Sequence, residues 1–309
     1  MRRTRQQLVT QLKEKNLVFS EFTLSQEGNY SVSDADWNYK DVPHLNCVHE
    51  LVEAVIGVVE NEHVATINLQ KIMGFMMPIT LFNYQSTPTS QTYFTTILFF
   101  TLIIESTYEA LGPNRSRINT VYSIGSRRWM SWCFPFIKWV LKKNYKNLMS
   151  QDVPMRTRRG QLRDWGYSFR RTNPLYGFED TMDISKSNVI FPENQTSAPK
   201  KIEVNMSKDL PSGKEFMVGR DDHFGLRLKR IENEVMAYPR LCPHEGASLD
   251  LEPCEKNKVK CHWHGRLFNP ILTMNLTKNE HQKFELNYHT LQLDGNILTV
   301  FFKTKSMAQ

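Results

Sequence analysis

The sequence predicts an α+β chain in two parts: a curved antiparallel sheet wrapped on a long helix, then an all-β unit. Three observations lead there. At 309 residues the chain exceeds one typical domain, so two compact units are the natural division. Strand-like runs at 64–69, 77–85, 92–105 and 118–124 precede one long amphipathic stretch at 127–151. Beyond residue 200 only short strand-like pieces with turn signals remain.

Taken in order, residues 15–32, "NLVFSEFTLSQEGNYSVS", alternate loosely and predict two short strands turning at Glu27 and Gly28. Residues 43–60 carry apolar side chains at helical spacing, with Asp41 as N-cap and Pro43 in the first turn. "FTTILFFTLII" (94–104) is β-branched and aromatic and predicts a buried strand. It is too short to cross a bilayer, which needs about 20 residues. The stretch 127–151 predicts a helix interrupted near Pro135. Residues 172–200 are polar, contain three prolines, and predict a connection between a first domain at 1–171 and a second at 201–309. In the second domain "KEFMVG", "FGLRLKRI", "EVMAYP", "KVKCHW" and "NILTVFFK" predict strands.

Composition is that of a folded protein, 40% hydrophobic and 23% charged, with no low-complexity tract. The basic opening is followed by no apolar run, so a secretory leader is not expected and a cytoplasmic location is. Five cysteines, an odd number unevenly spaced, disfavour a disulfide framework and favour metal binding or free thiols. In that setting the Asn-x-Ser/Thr triplet at Asn194 is chance. The +7 charge is concentrated: 127–171 holds twelve Lys and Arg against Asp152 and Asp164. A solvated helix face explains this. So does a docking surface for an acidic protein such as a small ferredoxin, or for an anionic membrane. No nucleic-acid recognition motif accompanies the charge.

The densest chemical signal is "LCPHEGASLDLEPCEKNKVKCHWHGRLF" (241–268), which holds Cys242, His244, Cys261 and His264 as Cys-x-His and Cys-x-x-His, each followed closely by glycine. A zinc site is the first alternative, but zinc motifs usually pair cysteine with cysteine on a knuckle. Unrelated residues of a β domain are the second, disfavoured by Pro243, Gly246 and Gly265. Two thiolates and two imidazoles suit an iron–sulfur cluster of raised potential. "CPHEGASL" and "CHWHGRLF" resemble the ligand loops of the Rieske [2Fe-2S] domain over roughly 200–305. The resemblance implies that Cys242 and Cys261 hold a buried iron, and that His244 and His264 hold an exposed one facing the electron-transfer partner. Cys254 and His262 lie off the pattern, as a free thiol and a loop residue.

In the N-terminal part, "ADWNYKDVPHLNCVHE" contains Asp41-x-x-His44-x4-His49. Histidines five apart lie about 140° from each other on a helix, and they can share a cavity where the helix opens. With the loops above, this string resembles the mononuclear iron site of the Rieske non-haem iron oxygenases. That resemblance implies a helix-grip (START/Bet v 1-like) catalytic domain before the Rieske domain, and Fe(II) bound by His44, His49 and a distant carboxylate. Asp41 takes the role of bridging carboxylate in electron transfer, orienting His44. Asp152 is the third ligand by its place on the late helix; a simple ion pair is the alternative, with Glu105 and Glu109 as substitutes. The order of domains is the reverse of the family's usual one.

The same resemblance implies O2 as oxidant, electrons from a separate ferredoxin or reductase, and a homo-oligomer, a trimer in the family. It also implies hydroxylation, dioxygenation or desaturation of a substrate. "DVPHLNCVH" is similar to the steroid-acting branch, and Phe75, Met76, Met77, Ile79, Leu81, Phe82, Phe94, Phe99 and Phe100 suggest a lipophilic or aromatic substrate, although core packing explains them equally. A Rieske carrier joined to a lipid-binding domain without catalytic iron is the rival reading.

Overall fold

The computed structural model describes residues 3–50, 52–60, 63–72, 74–170, 189–190, 201–220, 225–252, 254–255, 257–277, 281–286 and 288–302. Most of the connection expected at 172–200, including Asn194, lies outside the described residues. Contacts divide the chain into two compact units, one taking in Met1–Asp164 and the other Glu179–Gln309.

In the first unit, α1 (Arg5–Glu14) starts at a Thr4–Gln7 capping box, and β1 (Leu17–Gly28) follows. Next come α2 (Val32–Lys40), α3 (His44–Val48), β2 (Val52–Glu60), β3 (His63–Ile72), β4 (Phe75–Thr87), β5 (Ser90–Ile97), β6 (Phe100–Gly112) and β7 (Arg115–Arg127). A 3₁₀ turn (Arg128–Cys133) leads into α4 (Phe134–Asp164). The sheet is antiparallel, in the order β1-β7-β6-β5-β4-β3-β2. Phe134 and Tyr145 of α4 pack with Leu102, Tyr122 and Ile124 of the sheet, so the long helix lies in the grip of the strands. This is the helix-grip arrangement.

Four elements differ from the sequence reading. Residues 17–28 form a single strand, because Ser31 and Asp34 build a capping box that starts α2 instead of a return strand. The helix expected at 43–60 shrinks to α3, and Asp41 ends α2 as its C-cap instead of starting a helix. Val52, Val55, Ile56, Val58 and Val59 prefer the strand they form as β2, since branching at Cβ restricts them in a helix. The run at 92–105 is a hairpin, with Leu98 at its tip at φ 53°.

The fourth difference is α4, which continues through Pro154 to Asp164. Its buried side chains recur at helical spacing on both sides of the proline, at Tyr145, Asp152, Met155, Arg156, Arg159 and Gly160. That face fixes the helix despite the missing N–H. A Cβ on Gly160 would sit 2.1 Å from the Asn29 carbonyl oxygen, so only glycine lets the chain entering α2 pass this close.

Asp34, fully buried on α2, joins the two helices through Arg159 (Nε 3.1 Å) and Arg163 (Nε 2.8 Å) on α4. Burial alone would raise its pKa, but Arg163, Arg159 and the Ser31 hydroxyl bring it below the ordinary carboxylate value. A depressed native pKa means that the contribution to stability is complete above the unfolded carboxylate value, about 3.9. It is lost as pH falls through the native value. Asp34→Asn is therefore expected to cost about 3 kcal/mol at pH 7, with the gap from the parent protein closing below about pH 4. Urea unfolding at a series of pH values measures this.

The second unit is all β. One four-stranded sheet runs Lys201–Asn205, Ile297–Phe302, His289–Asp294, Gln282–Glu285, and another Glu215–Val218, Leu226–Ile231, Glu234–Pro239, Leu272–Asn275. Val204, Leu228, Val235, Leu291, Leu298 and Val300 form their shared core. A small three-stranded sheet, Cys254–Glu255, Lys258–Lys260 and Leu267–Phe268, carries the second Cys/His loop between its last two strands.

Candidate metal centres

The two loops of the second unit fold alike. Cys242 N–H donates to the Ala247 carbonyl (2.7 Å) and Gly246 N–H returns to Cys242 (2.9 Å); Cys261 N–H donates to Arg266 (2.8 Å) and Gly265 N–H to Cys261 (2.8 Å). Gly246 and Gly265 have φ of 87° and 67°, the left-handed region that glycine enters without a Cβ clash. Each turn thus presents its cysteine and histidine inward from one backbone shape.

His244 and His264 approach with their Nδ1 atoms 3.2 Å apart and rings nearly perpendicular. Cys242 and Cys261 are buried beside each other. Burial opposes ionisation of Cys242, but the Cys261 thiol and the backbone N–H groups of Glu245 and His244 hold its pKa below the usual range. Cys261, donating to Cys242 and buried, is pushed well above it. Two buried thiols and two converging imidazoles fit a group with two thiolate and two imidazole ligands.

His244 and His264 are only 6% and 5% exposed, unlike the solvent-facing position expected of them. Strand Val189–Ile190 supplies one covering contact, Val189 N–H to the Pro243 carbonyl (3.3 Å). Of the two residues off the pattern, Cys254 is half-buried with its thiol 3.4 Å from the Tyr238 hydroxyl, and exposed His262 pairs with Glu252.

In the first unit, α3 holds His44 at its first position, His49 follows its last turn, and α4 brings Asp152 across from far along the chain. All three are buried, and one ligand atom from each lies within 4.8 Å of the others. Asp152 Oδ1 is 3.4 Å from Nε2 of both histidines. Neither His44 nitrogen nor Asp152 Oδ1 has a hydrogen-bond partner among the described residues. Buried polar atoms left so are uncommon and need an explanation. Two imidazole nitrogens and one carboxylate oxygen aimed at one point fit a divalent first-row metal.

The surrounding groups orient these three. His49 Nδ1–H donates to Gln151 Oε1 (2.8 Å), which leaves Nε2 for the shared point. Asp152 Oδ2 accepts from Arg156 (3.1 Å), and Arg156, fully buried, also donates from Nε to Asn38 Oδ1 (2.8 Å) and lies over the Tyr39 ring. Asp41 Oδ2 is 3.5 Å from His44 Nδ1.

Burial disfavours the His44 imidazolium, but Asp152 and Asp41 more than offset it and raise its pKa to about 9. Burial lowers the pKa of His49, and the His44 charge adds to this against the pull of Asp152. Burial raises that of Asp152, yet His44 and Arg156 bring it below the usual range. An entering cation displaces the His44 proton. Arg156→Met is expected to leave Asp152 Oδ2 and Asn38 Oδ1 without their buried donor, costing about 3–5 kcal/mol in unfolding free energy. Chemical denaturation checks it.

Sequence reasoning missed Gln151, Asn38 and Arg156. Gln151 precedes Asp152, and Arg156 stands at the ion-pair spacing of i+4 from it, but nothing local singles out Asn38. The substitutes for Asp152 have other partners: Glu105 pairs with Arg5 (3.4 Å) and Glu109 with Arg117 (3.1 Å).

A cavity of about 200 Å³ opens onto His44, His49 and Asp152. Leu81 lines it beside Asn68 and Asn83, whose Oδ1 atoms have no hydrogen-bond partner among the described residues. Most of the apolar residues expected in it lie elsewhere. Since side chains alternate along a strand, Leu81 and Asn83 point in and Phe82 points out to stack on Phe94 (5.0 Å). Phe75, Met76 and Phe99 are exposed as well. Ile79 is buried, Met77 half-buried, and Phe100 packs against the core near Phe134.

A β unit closing two matched Cys/His loops is built to hold an iron–sulfur cluster. Residues 200–294 match the family model of the Rieske [2Fe-2S] domain, and this part of the chain is such a domain. It implies a [2Fe-2S] cluster and a role in electron transfer. No curated protein matches the sequence.

Among solved structures, the Zhui aromatase/cyclase from a Streptomyces species is 11% identical, with 46% of this chain and 96% of that chain covered at a TM-score of 0.42. Norcoclaurine synthase from Thalictrum flavum is 9% identical (47% and 90% covered, TM-score 0.40). A START superfamily protein from Mycobacterium smegmatis is 10% identical (42% and 92% covered, TM-score 0.37).

Proposed function

We propose that this protein is a Rieske non-haem iron oxygenase. Cys242, His244, Cys261 and His264 hold the cluster in this reading, and His44, His49 and Asp152 hold a mononuclear Fe(II). The observation that supports it best is the buried His44–His49–Asp152 triad, with its unpartnered donor atoms, at the wall of a cavity. Fe(II) there supplies O2 activation for hydroxylation, dioxygenation or desaturation, and the cluster supplies electrons one at a time.

The chain's own residues do the positioning. Gln151 fixes the His49 tautomer, Arg156 holds one carboxylate oxygen of Asp152 so that the other faces the histidines, and Asp41 orients His44 and serves as the bridging carboxylate. The cavity lies below the range of about 300–1,000 Å³ usual for ligand pockets, which favours a small substrate. Its mixed wall suits a lipophilic or aromatic body with a hydrogen-bonding group. Electrons come from a separate ferredoxin or reductase, and the protein works as a homo-oligomer.

Isotopic oxygen tests the reading. With a ferredoxin–reductase pair, small aromatic and alicyclic compounds and ¹⁸O₂, labelled or desaturated product is expected, and none with His49→Ala. Steady electron transfer through the cluster to cytochrome c, with no product and no second class of iron, identifies a carrier joined to a ligand-binding domain.

A further inference from the structure

The first unit carries a surface that neither centre uses. Trp129, Trp132 and Trp139, half of the chain's six tryptophans, are 66%, 76% and 58% exposed, and Phe99, Leu98 and Phe136 beside them in sequence or structure are exposed too. The Phe99 and Trp129 rings lie 6.2 Å apart and the Phe136 and Trp139 rings 6.0 Å, so the β5–β6 hairpin tip approaches the 3₁₀ turn that leads into α4. The tip itself is unusual. Two-residue hairpin turns favour Asn, Asp or Gly at left-handed positions, whereas here Leu98 takes φ 53° and offers its side chain to solvent. Exposed aromatics gathered along 129–139 and at the hairpin tip that meets this stretch mark an interaction surface.

Charge identifies the partner. Residues 127–151 contain Arg127, Arg128, Lys138, Lys142, Lys143 and Lys146 and no acidic residue. At 100° per residue Phe136, Trp139, Lys143 and Lys146 fall within about 80° of the α4 circumference. Lys143 Nζ lies over the Trp139 ring at 5.8 Å. Tryptophan and phenylalanine interleaved with lysine on one face is the pattern of a segment that lies in the headgroup layer, with rings at the acyl boundary and amines at the lipid phosphates. Among the described residues no helix is long and apolar enough to cross a membrane.

We infer that Leu98 and Phe99, the 3₁₀ turn and the first turns of α4 form a monotopic docking surface for anionic phospholipid bilayers. This goes beyond the oxygenase reading and does not depend on it. An acidic protein would be drawn by the same lysines, but it leaves the three exposed indoles and the leucine at the hairpin tip without a purpose.

Vesicle flotation of the full-length holoprotein tests the inference, with phosphatidylcholine alone and mixed with phosphatidylserine, at low and physiological salt. Binding to the mixed vesicles is expected, with a blue shift of tryptophan emission and quenching by brominated acyl chains. Lys143→Gln and Lys146→Gln are each expected to weaken partitioning about fivefold. Trp132→Ser and Trp139→Ser are each expected to weaken it on the order of tenfold.

Far-UV circular dichroism and a cooperative unfolding transition matching the parent's report that every variant is folded. No binding to mixed vesicles at low salt overturns the inference. So does binding that the lysine variants reduce and the tryptophan variants leave intact, since that is charge attraction without insertion. If instead the tryptophan variants change the oligomeric mass in light scattering, or slow reduction by an acidic ferredoxin, with vesicle binding unaltered, the surface serves another copy or a protein donor.

Discussion

His49→Ala is expected to remove the mononuclear iron and, with it, all oxygen-dependent turnover, while the visible and EPR spectra of the cluster stay those of the parent protein. The separation follows from where the two sites sit. His49 belongs to the first unit, where its Nε2 faces Asp152 Oδ1 and its Nδ1 is held by Gln151. The cluster loops close through backbone hydrogen bonds of their own in the second unit. Losing one of three protein ligands leaves too few donors to keep a labile ferrous ion, so occupancy should fall from near full to near zero. A Gln151→Leu variant should do less, about 10–100-fold in metal affinity, because it removes the group that orients a ligand and leaves the ligand. Retained turnover in His49→Ala would refute the assignment.

Cys261→Ser is the complementary experiment, with an effect as large in the other unit. It should yield a colourless protein that takes no electrons from a reductase and still binds ferrous ion at His44, His49 and Asp152. The two thiols are buried together, with the Cys242 pKa held below the usual range, and a serine hydroxyl does not replace a soft sulfur donor to iron. Iron should fall from three to one per chain, with acid-labile sulfide absent. A coloured Cys261→Ser protein with normal sulfide would place the cluster on other residues.

What could be read from sequence divides along physical lines. The cluster loops were legible because each is a short closed turn. Cysteine, histidine and glycine lie within five residues in each, and the backbone hydrogen bonds from Cys242 to Ala247 and from Cys261 to Arg266 are local. His44 and His49 were singled out by the resemblance of their Asp-x-x-His-x4-His string to a known iron site, which spacing alone does not decide. The elements around them were not legible, because 52–59 has helical periodicity as well as β-branched residues, and tertiary pairing with β3 decides for the strand. The reach of α4 past Pro154 was hidden for a similar reason, since the side chains that hold it, Arg156 and Arg159, find their partners Asn38 and Asp34 more than a hundred residues away.

The composition of the pocket was the least legible feature. Phe82 and Phe94 are as apolar as Leu81, and only the phase of strand alternation against the sheet decides which of them meets the cavity.

Two metal centres in one chain is the claim on which the rest depends, and the ratio of iron to acid-labile sulfide in anaerobically reconstituted holoprotein addresses it directly. Three irons and two sulfides per chain, with the extra iron lost in His49→Ala, is the predicted result. Two irons and two sulfides, unchanged by added ferrous ion, would contradict it.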